Sequence, residues 1–229
     1  MAHSRIKTFP CLPMITRRQI ICFILSALLF SSCALLVDDQ PQRIVRVKAL
    51  ADPAFRARNP RWDEEVRGLV EAASDYYEKE FGIRFVTQST AAWPAQEKIP
   101  STAELLARLK RDFPARKNNE NYDLIVAFIA ERVNIYFGGR GRVDRIGNCQ
   151  QGLGSYVVNY VSAPFHYTGV NSDPTIDVIS LIHEFGHIFG AQHSQDIGSI
   201  MHENFDYRSE FDMKNRSVIL KNRSCPFAK

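Results

Sequence analysis

The chain has 229 residues, of which 45% are hydrophobic and 24% are charged, with 29 Lys and Arg residues against 25 Asp and Glu residues. The first 32 residues contain four basic side chains and no acidic one, so residues 33–229 carry 25 charges of each sign. Residues 33–229 therefore lack the surplus of basic side chains that binding to a phosphate backbone requires, which argues against nucleic acid as a partner. Roughly 195 residues remain after this segment, enough for one well-buried domain and too few for two large ones.

Residues 1–32 have the pattern of an export signal. Arg17 and Arg18 precede an apolar run at residues 20–30, and two serines come directly before Cys33. A basic segment, an apolar core of about 7–15 residues and small residues at its end are typical of secretory signals. The ending at residues 29–33 resembles a bacterial lipobox, which implies that Cys33 is lipidated and becomes the mature N-terminus.

Two alternatives remain for this segment. It could be an uncleaved membrane anchor, because the apolar stretch over residues 20–37 is just long enough to span a bilayer. It could also be an ordinary secretion signal that is removed without lipid attachment. Translation from Met14 instead of Met1 would give a leader of ordinary length. We expect an exported lipoprotein that faces the periplasm or the cell exterior. Residues 33–42 would then form a tether to a single domain at residues 43–229.

The cysteines agree with export. Cys149 and Cys225 are the two that remain once those of the leader and the lipidated Cys33 are set aside. Two thiols in an exported domain most simply form one disulfide. A pair of buried, reduced cysteines is the alternative.

The first part of the domain alternates between strand and helix patterns. Residues 43–50 alternate apolar and polar side chains, which predicts a half-buried strand. Apolar residues at spacings of three and four predict a helix over residues 62–80, and Gly82 follows its end. Residues 83–87 form a second predicted strand.

The pattern continues through the middle of the chain. A capping box at residues 101–104 opens a helix that extends to about residue 112. Residues 122–130 are almost uninterruptedly apolar, which is typical of a strand buried on both faces. Short strands at residues 142–146 and 155–160 follow in a glycine-rich stretch. This order predicts a sheet with parallel neighbours and covering helices.

A helix is next predicted over residues 175–189, with Asp173 as its N-cap, Pro174 at its first position and Gly190 at its end. It carries His183, Glu184 and His187.

The spacing of these residues indicates a metal site. His183 and His187 lie one above the other on a helix, with about 6 Å between their Cβ atoms. A ring nitrogen of each can bind the same metal ion at roughly 2.0–2.1 Å. Glu184 flanks that ion, and Gly190 allows the turn that returns His193 as a third ligand. Three histidines leave one tetrahedral position open, as in catalytic zinc sites. The alternative is a set of histidines that are merely packed or solvated.

The string from His183 to His193, HEFGHIFGAQH, resembles the signature HExxHxxGxxH of the metzincin zinc endopeptidases. Met201, eight residues after His193, matches their methionine turn and would form a hydrophobic floor beneath the zinc. The resemblance implies an α+β domain with a twisted mixed sheet of about five strands and covering helices. An active-site helix and a small C-terminal subdomain ending in a helix, at residues 209–222, would complete it.

Within the metzincins the chain looks closest to the reprolysin, or adamalysin-like, group, with Ser194 as a matrixin-like feature. This resemblance implies a disulfide between Cys149 and Cys225. It also implies a substrate-binding edge strand above the cleft, formed by Arg142, Val143, Asp144, Arg145 and Ile146.

The implied activity is that of a monomeric endopeptidase with one catalytic Zn²⁺, in which Glu184 is the general base and later the general acid. Protein or peptide chains would be its substrates. A zinc hydrolase of small amides or peptides is an alternative function. A surface binding protein with an inactive site is a third, which the intact Glu184 argues against.

Overall fold

The computed structural model describes residues 41–94, 101–114, 121–130, 140–170, 174–204 and 210–228. Its strands are β1 (Arg43–Ala51), β2 (Ile83–Ala92), β3 (Leu124–Ile129), β4 (Gly141–Val143) and β5 (Tyr156–Tyr160). Its helices are α1 (Pro53–Arg58), α2 (Trp62–Phe81), α3 (Thr102–Asp112), α4 (Ile176–Ile188) and α5 (Met213–Asn222).

The strands form one sheet in the order β2-β1-β3-β5-β4. All neighbours run parallel except β4, which lies at one edge and is antiparallel to β5. The predicted α+β fold with a mixed five-stranded sheet is therefore confirmed. The predicted export signal at residues 1–32 and the lipidation site Cys33 lie outside the described residues. Within the described ranges, no helix has the length and apolar character needed to cross a bilayer.

The sheet is covered on both faces, and β3 shows why its sequence is so apolar. Its side chains alternate between two clusters of buried residues, with Val126 in one and Ala127 in the other. The larger cluster packs β3 against α2 and α4, and the smaller one packs it against α3. A strand covered on both sides has no polar face, as the uninterrupted apolar run predicts.

The crossover from β1 to β2 follows the predicted order, with one helix that the sequence analysis did not predict. Helix α1 begins at Pro53, and the carboxylate of Asp52 accepts a hydrogen bond from the N–H of Phe55 at 2.6 Å. An N-cap followed by proline is a recognised start signal, so Asp52 and Pro53 could have revealed this helix. At the end of α2, Gly82 adopts a left-handed φ of 65° and the chain enters β2 directly.

The C-terminal subdomain ends in α5 and a short tail that returns to the sheet. Asp212 caps α5 by accepting from the N–H of Asn215 at 3.0 Å, so the helix starts later than the predicted residue 209. In the tail, the N–H of Ala228 donates to the carbonyl of Leu153 at 2.9 Å. The predicted disulfide between Cys149 and Cys225 is present, with 5.0 Å between the Cα atoms.

Candidate active site

Helix α4 is buried along its length, with every residue from Asp177 to Ile188 shielded from solvent. Its N-cap is Thr175, whose hydroxyl accepts from the N–H of Val178 at 3.4 Å. The predicted N-cap, Asp173, lies outside the described residues, and the prediction that the helix is capped there is wrong because Thr175 supplies the cap. On the helix's inner side, the rings of Phe185 and Phe85 stack with centroids 4.1 Å apart. This packing fixes the rotation of α4, and with it the direction of its polar side chains.

The structure brings the three predicted ligands together. His183, His187 and His193 each offer one ring nitrogen, and these nitrogens lie within 4.8 Å of one another. The first two are buried on α4, one turn apart, whereas the side chain of His193 is 47% exposed. Gly190, with a φ of 98°, turns the chain at the end of α4 so that His193 returns to the helix.

Hydrogen bonds assign the tautomer of the two buried histidines. The Nδ1 atom of His183 lies 2.7 Å from the carbonyl oxygen of Ile200, and that of His187 lies 2.7 Å from the carbonyl oxygen of Ala191. A carbonyl only accepts, so each Nδ1 carries the proton and each Nε2 presents a lone pair. Such partners are typical of metal-binding histidines.

The two Nε2 atoms lie 3.1 Å apart. Burial lowers the pKa of His183 to about 3 and that of His187 to about 4, so both rings are neutral near pH 7. Two lone pairs at this distance repel each other, and a cation between them would remove the repulsion. The donor set therefore fits a metal ion, and three imidazoles are a ligand set that suits zinc.

Met201 lies against the helix that carries His183 and His187. An added Cβ atom on Gly186, between the two helical histidines, would come within 2.8 Å of its sulfur. The carbonyl of Met201 accepts a hydrogen bond from the N–H of Ser194 at 2.9 Å, and the N–H of Met201 donates to Ser199 Oγ at 3.1 Å. The turn is thus tied to the segment that follows His193.

Glu184 follows His183 on α4 and is 4% exposed. Burial raises the pKa of its carboxyl group to about 8, and the positive charge of Arg142 opposes this shift. Strand β4 passes directly over it, with Gly141 in contact with its side chain. The side chain is therefore held between α4, from which it extends, and the edge strand of the sheet.

The predicted edge strand at residues 142–146 is shorter than expected, and this prediction is corrected to Gly141–Val143. The N–H of Asp144 still donates to the carbonyl of Tyr156, but the N–H groups of Ser155 and Tyr156 donate to the carboxylate of Asp144, at 2.8 and 3.0 Å, which ends the regular pairing. Arg145 and Ile146 lie beyond the strand, and Arg145 instead donates to the carbonyl of Gln151 at 3.1 Å.

The disulfide is linked to the same region. Gly147 lies between β4 and Cys149, and its N–H donates to the carbonyl of His187 at 2.9 Å. Asn222, near Cys225, donates to the carbonyl of Phe189 at 2.9 Å. The crosslink therefore joins two segments that both contact the end of α4.

Sequence reasoning missed two groups around the site. Glu203 approaches the third histidine, with 3.2 Å between its Oε1 atom and Nδ1 of His193. Asp177, buried in the first turn of α4, accepts from Arg140 of the segment before β4 at 3.1 Å. Asp177 could have been noticed as an acidic residue at the predicted start of the helix, but its long-range partner has no local sequence signal.

Comparisons with known proteins agree with this geometry. The family model Reprolysin_5, metallo-peptidase family M12, matches residues 41–228. Archaemetzincin (amzA) from Methanopyrus kandleri has a similar structure, with a TM-score of 0.51 and 20% identity over 78% of this chain and 95% of that chain. A structure described as a chaperone-substrate complex gives a TM-score of 0.53 and 14% identity over 80% of this chain and 34% of that chain. At these identities the structural likeness concerns the fold alone. No curated protein sequence matches the chain.

Proposed function

The chain belongs to metallo-peptidase family M12 and is a metzincin-like zinc metallopeptidase, and from this premise we propose that it is an endopeptidase with Glu184 as its general base. One zinc ion would be held by His183, His187 and His193. The observation that carries the proposal is the convergence of these three histidines, with the buried Glu184 next to His183 on the same helix.

The chemistry that zinc supplies when bound at such a site is acidification of a water molecule and polarisation of a carbonyl group. Glu184 accepts the proton of the attacking water and later donates it to the leaving amine. Burial raises the pKa of this carboxyl group in the metal-free protein, whereas a zinc cation held by the neighbouring histidines would favour the carboxylate, the form that accepts a proton. His183 and His187 stay neutral and are oriented by their backbone carbonyl partners.

The free edge of β4 supports an extended peptide as substrate. The carbonyl of Arg140 accepts a hydrogen bond from the N–H of Tyr160 at 2.7 Å, and the N–H of Asp144 donates to the carbonyl of Tyr156 at 3.2 Å. The backbone groups of Arg140 and Asp144 therefore point toward β5. In an antiparallel pair, the intervening Gly141 and Val143 direct their backbone groups away from the neighbour. Within the described ranges no strand pairs with that side. A peptide added there would lie across Glu184, which favours cleavage within a chain.

The test is a comparison of Glu184→Gln with the wild-type protein on a library of extended peptides. Loss of the general base should lower the cleavage rate by at least about 100-fold, while zinc content and thermal stability stay close to wild type. Cleavage at the wild-type rate by Glu184→Gln would refute the proposed mechanism. Wild-type protein that contains zinc but cleaves only short amides would refute the endopeptidase assignment.

We also propose that the domain is exported, attached to a membrane through lipid on Cys33, and monomeric. The signal-like leader supports export, and the disulfide suits an oxidising compartment. Mass spectrometry of the mature N-terminus should find a diacylglyceryl group on Cys33. Cleavage at another position with release into the medium would contradict lipid attachment.

A further inference from the structure

The side chain of Glu184 occupies the space in which any side chain at position 141 would have to lie. A Cβ atom added to Gly141 would come within 2.5 Å of Cγ of Glu184, 2.7 Å of its Oε1 atom and 2.8 Å of its Cδ atom. These distances are about 1 Å shorter than ordinary contacts between carbon atoms. Gly141 is not one of the glycines with a left-handed φ, so its backbone conformation alone does not require glycine.

The surrounding backbone is held on both sides of this contact. The hydrogen bonds of Arg140 to Tyr160 and of Asp144 to Tyr156 fix β4 on the sheet. The ion pair between Arg140 and Asp177 ties the segment before β4 to the first turn of α4. Helix α4 is itself buried along its length. The part that must move is therefore the Glu184 side chain beyond its Cβ atom, since the clash begins at Cγ.

We propose that Gly141 is a positioning residue for the general base, and this rests on the proposed role of Glu184. Because position 141 has no side chain, the strand that would bind the substrate can lie against the carboxylate and hold it beside the histidines. A methyl group there displaces the carboxylate and leaves the fold and the three histidines in place.

The size of the effect follows from the required displacement. Restoring an ordinary contact moves the carboxylate by about 1 Å, and a misplacement of this size in a catalytic group can lower a rate by roughly 100-fold. The loss should appear in kcat. KM should change little, because alanine keeps the backbone groups of β4 that pair with a peptide.

The experiment is a double-mutant cycle of Gly141→Ala and Glu184→Ala, measured by peptide cleavage, zinc content and thermal unfolding. Gly141→Ala should lower kcat by roughly 100-fold in the wild-type background, and by less than about twofold when Glu184 is already alanine. Gly198→Ala is the matched control. An added Cβ at Gly198 meets only Asp196 Oδ1, at 3.3 Å, so activity should stay within about twofold.

The outcomes separate this inference from the proposed function. Wild-type activity in Glu184→Ala would refute the general-base role itself. A large loss in Glu184→Ala with an unchanged rate in Gly141→Ala would overturn only the inference, as would equal losses from Gly141→Ala in both backgrounds. If Gly141→Ala does not fold, the double variant should fold, because the clash is gone, and its failure would also overturn the inference.

A crystal structure of Gly141→Ala provides a test that does not depend on activity. The carboxylate of Glu184 should be displaced by about 1 Å while β4 and the three histidines keep their positions. An unmoved carboxylate, with β4 shifted away from it, would contradict the inference.

Discussion

Removal of the disulfide between Cys149 and Cys225 should destabilise the domain chiefly through the unfolded state. The two cysteines are separated by 76 positions in the sequence, so the crosslink closes a loop of about 77 residues. In the chain-entropy model, a loop of this length contributes about 4.5 kcal/mol to the free energy of unfolding at 25 °C. That figure is an upper value, because measured effects are often smaller.

Other contacts should keep the tail in place when the disulfide is absent. Leu153 exchanges backbone hydrogen bonds with Pro226 and Ala228, at 2.8 and 2.9 Å, and Phe227 is buried. The native structure should therefore persist in a Cys149→Ser, Cys225→Ser double variant. We expect it to lose about 2–4 kcal/mol of unfolding free energy.

Guanidinium unfolding without reductant measures this loss, and both cysteines are replaced so that no free thiol remains. The wild-type protein unfolded with reductant should match the double variant, and reductant should leave the double variant unchanged. A loss below about 1 kcal/mol would refute the assignment of stability to this crosslink. An equal effect of reductant on the double variant would show that reductant acts on something else.

Two further predictions concern pH and the end of β4. In metal-free protein, His183 and His187 stay neutral in the folded state down to about pH 4, whereas Glu184 stays protonated up to about pH 8. Summed over these three groups, the unfolded state binds more protons than the folded state below pH 6.5 and fewer between pH 6.5 and 8. The free energy of unfolding should therefore be highest near pH 6.5. A monotonic pH profile from 4.5 to 8 would contradict this. Asp144→Ala should cost about 2–3 kcal/mol, because two backbone N–H groups lose their buried acceptor, and Asp144→Asn should cost less.

Periodicity and end signals predicted most of the fold. The apolar stripe of α2 and the glycine that follows it gave a helix whose bounds agree within one residue with Trp62–Phe81. Strand β2 runs to Ala92, beyond the predicted residue 87, because it pairs with β1 along its whole length, an interaction that its own sequence does not contain. The end of β4 likewise depends on residues distant in sequence, because the hydrogen-bond partners of Asp144 are Ser155 and Tyr156, where β5 begins.

The convergence of the three histidines could be predicted because their spacing is a local property of one helix and one turn. The disulfide could be predicted from the count of cysteines and the family resemblance. The close contact of Gly141 with Glu184 could not, because the two residues are 43 positions apart and a glycine gives no sign of what occupies the space beside it. The same limit applies to the pairing of Arg140 with Asp177.

The central claim is that three histidines hold one zinc ion beside Glu184, and anomalous diffraction at the zinc edge tests it most directly. Crystals of protein purified without chelator should show one peak per chain, at about 2.0–2.1 Å from a ring nitrogen of His183, His187 and His193. In crystals of His193→Ala the peak should be weak or absent. A wild-type crystal with no peak among these nitrogens, or with zinc held only by other residues, would contradict the account.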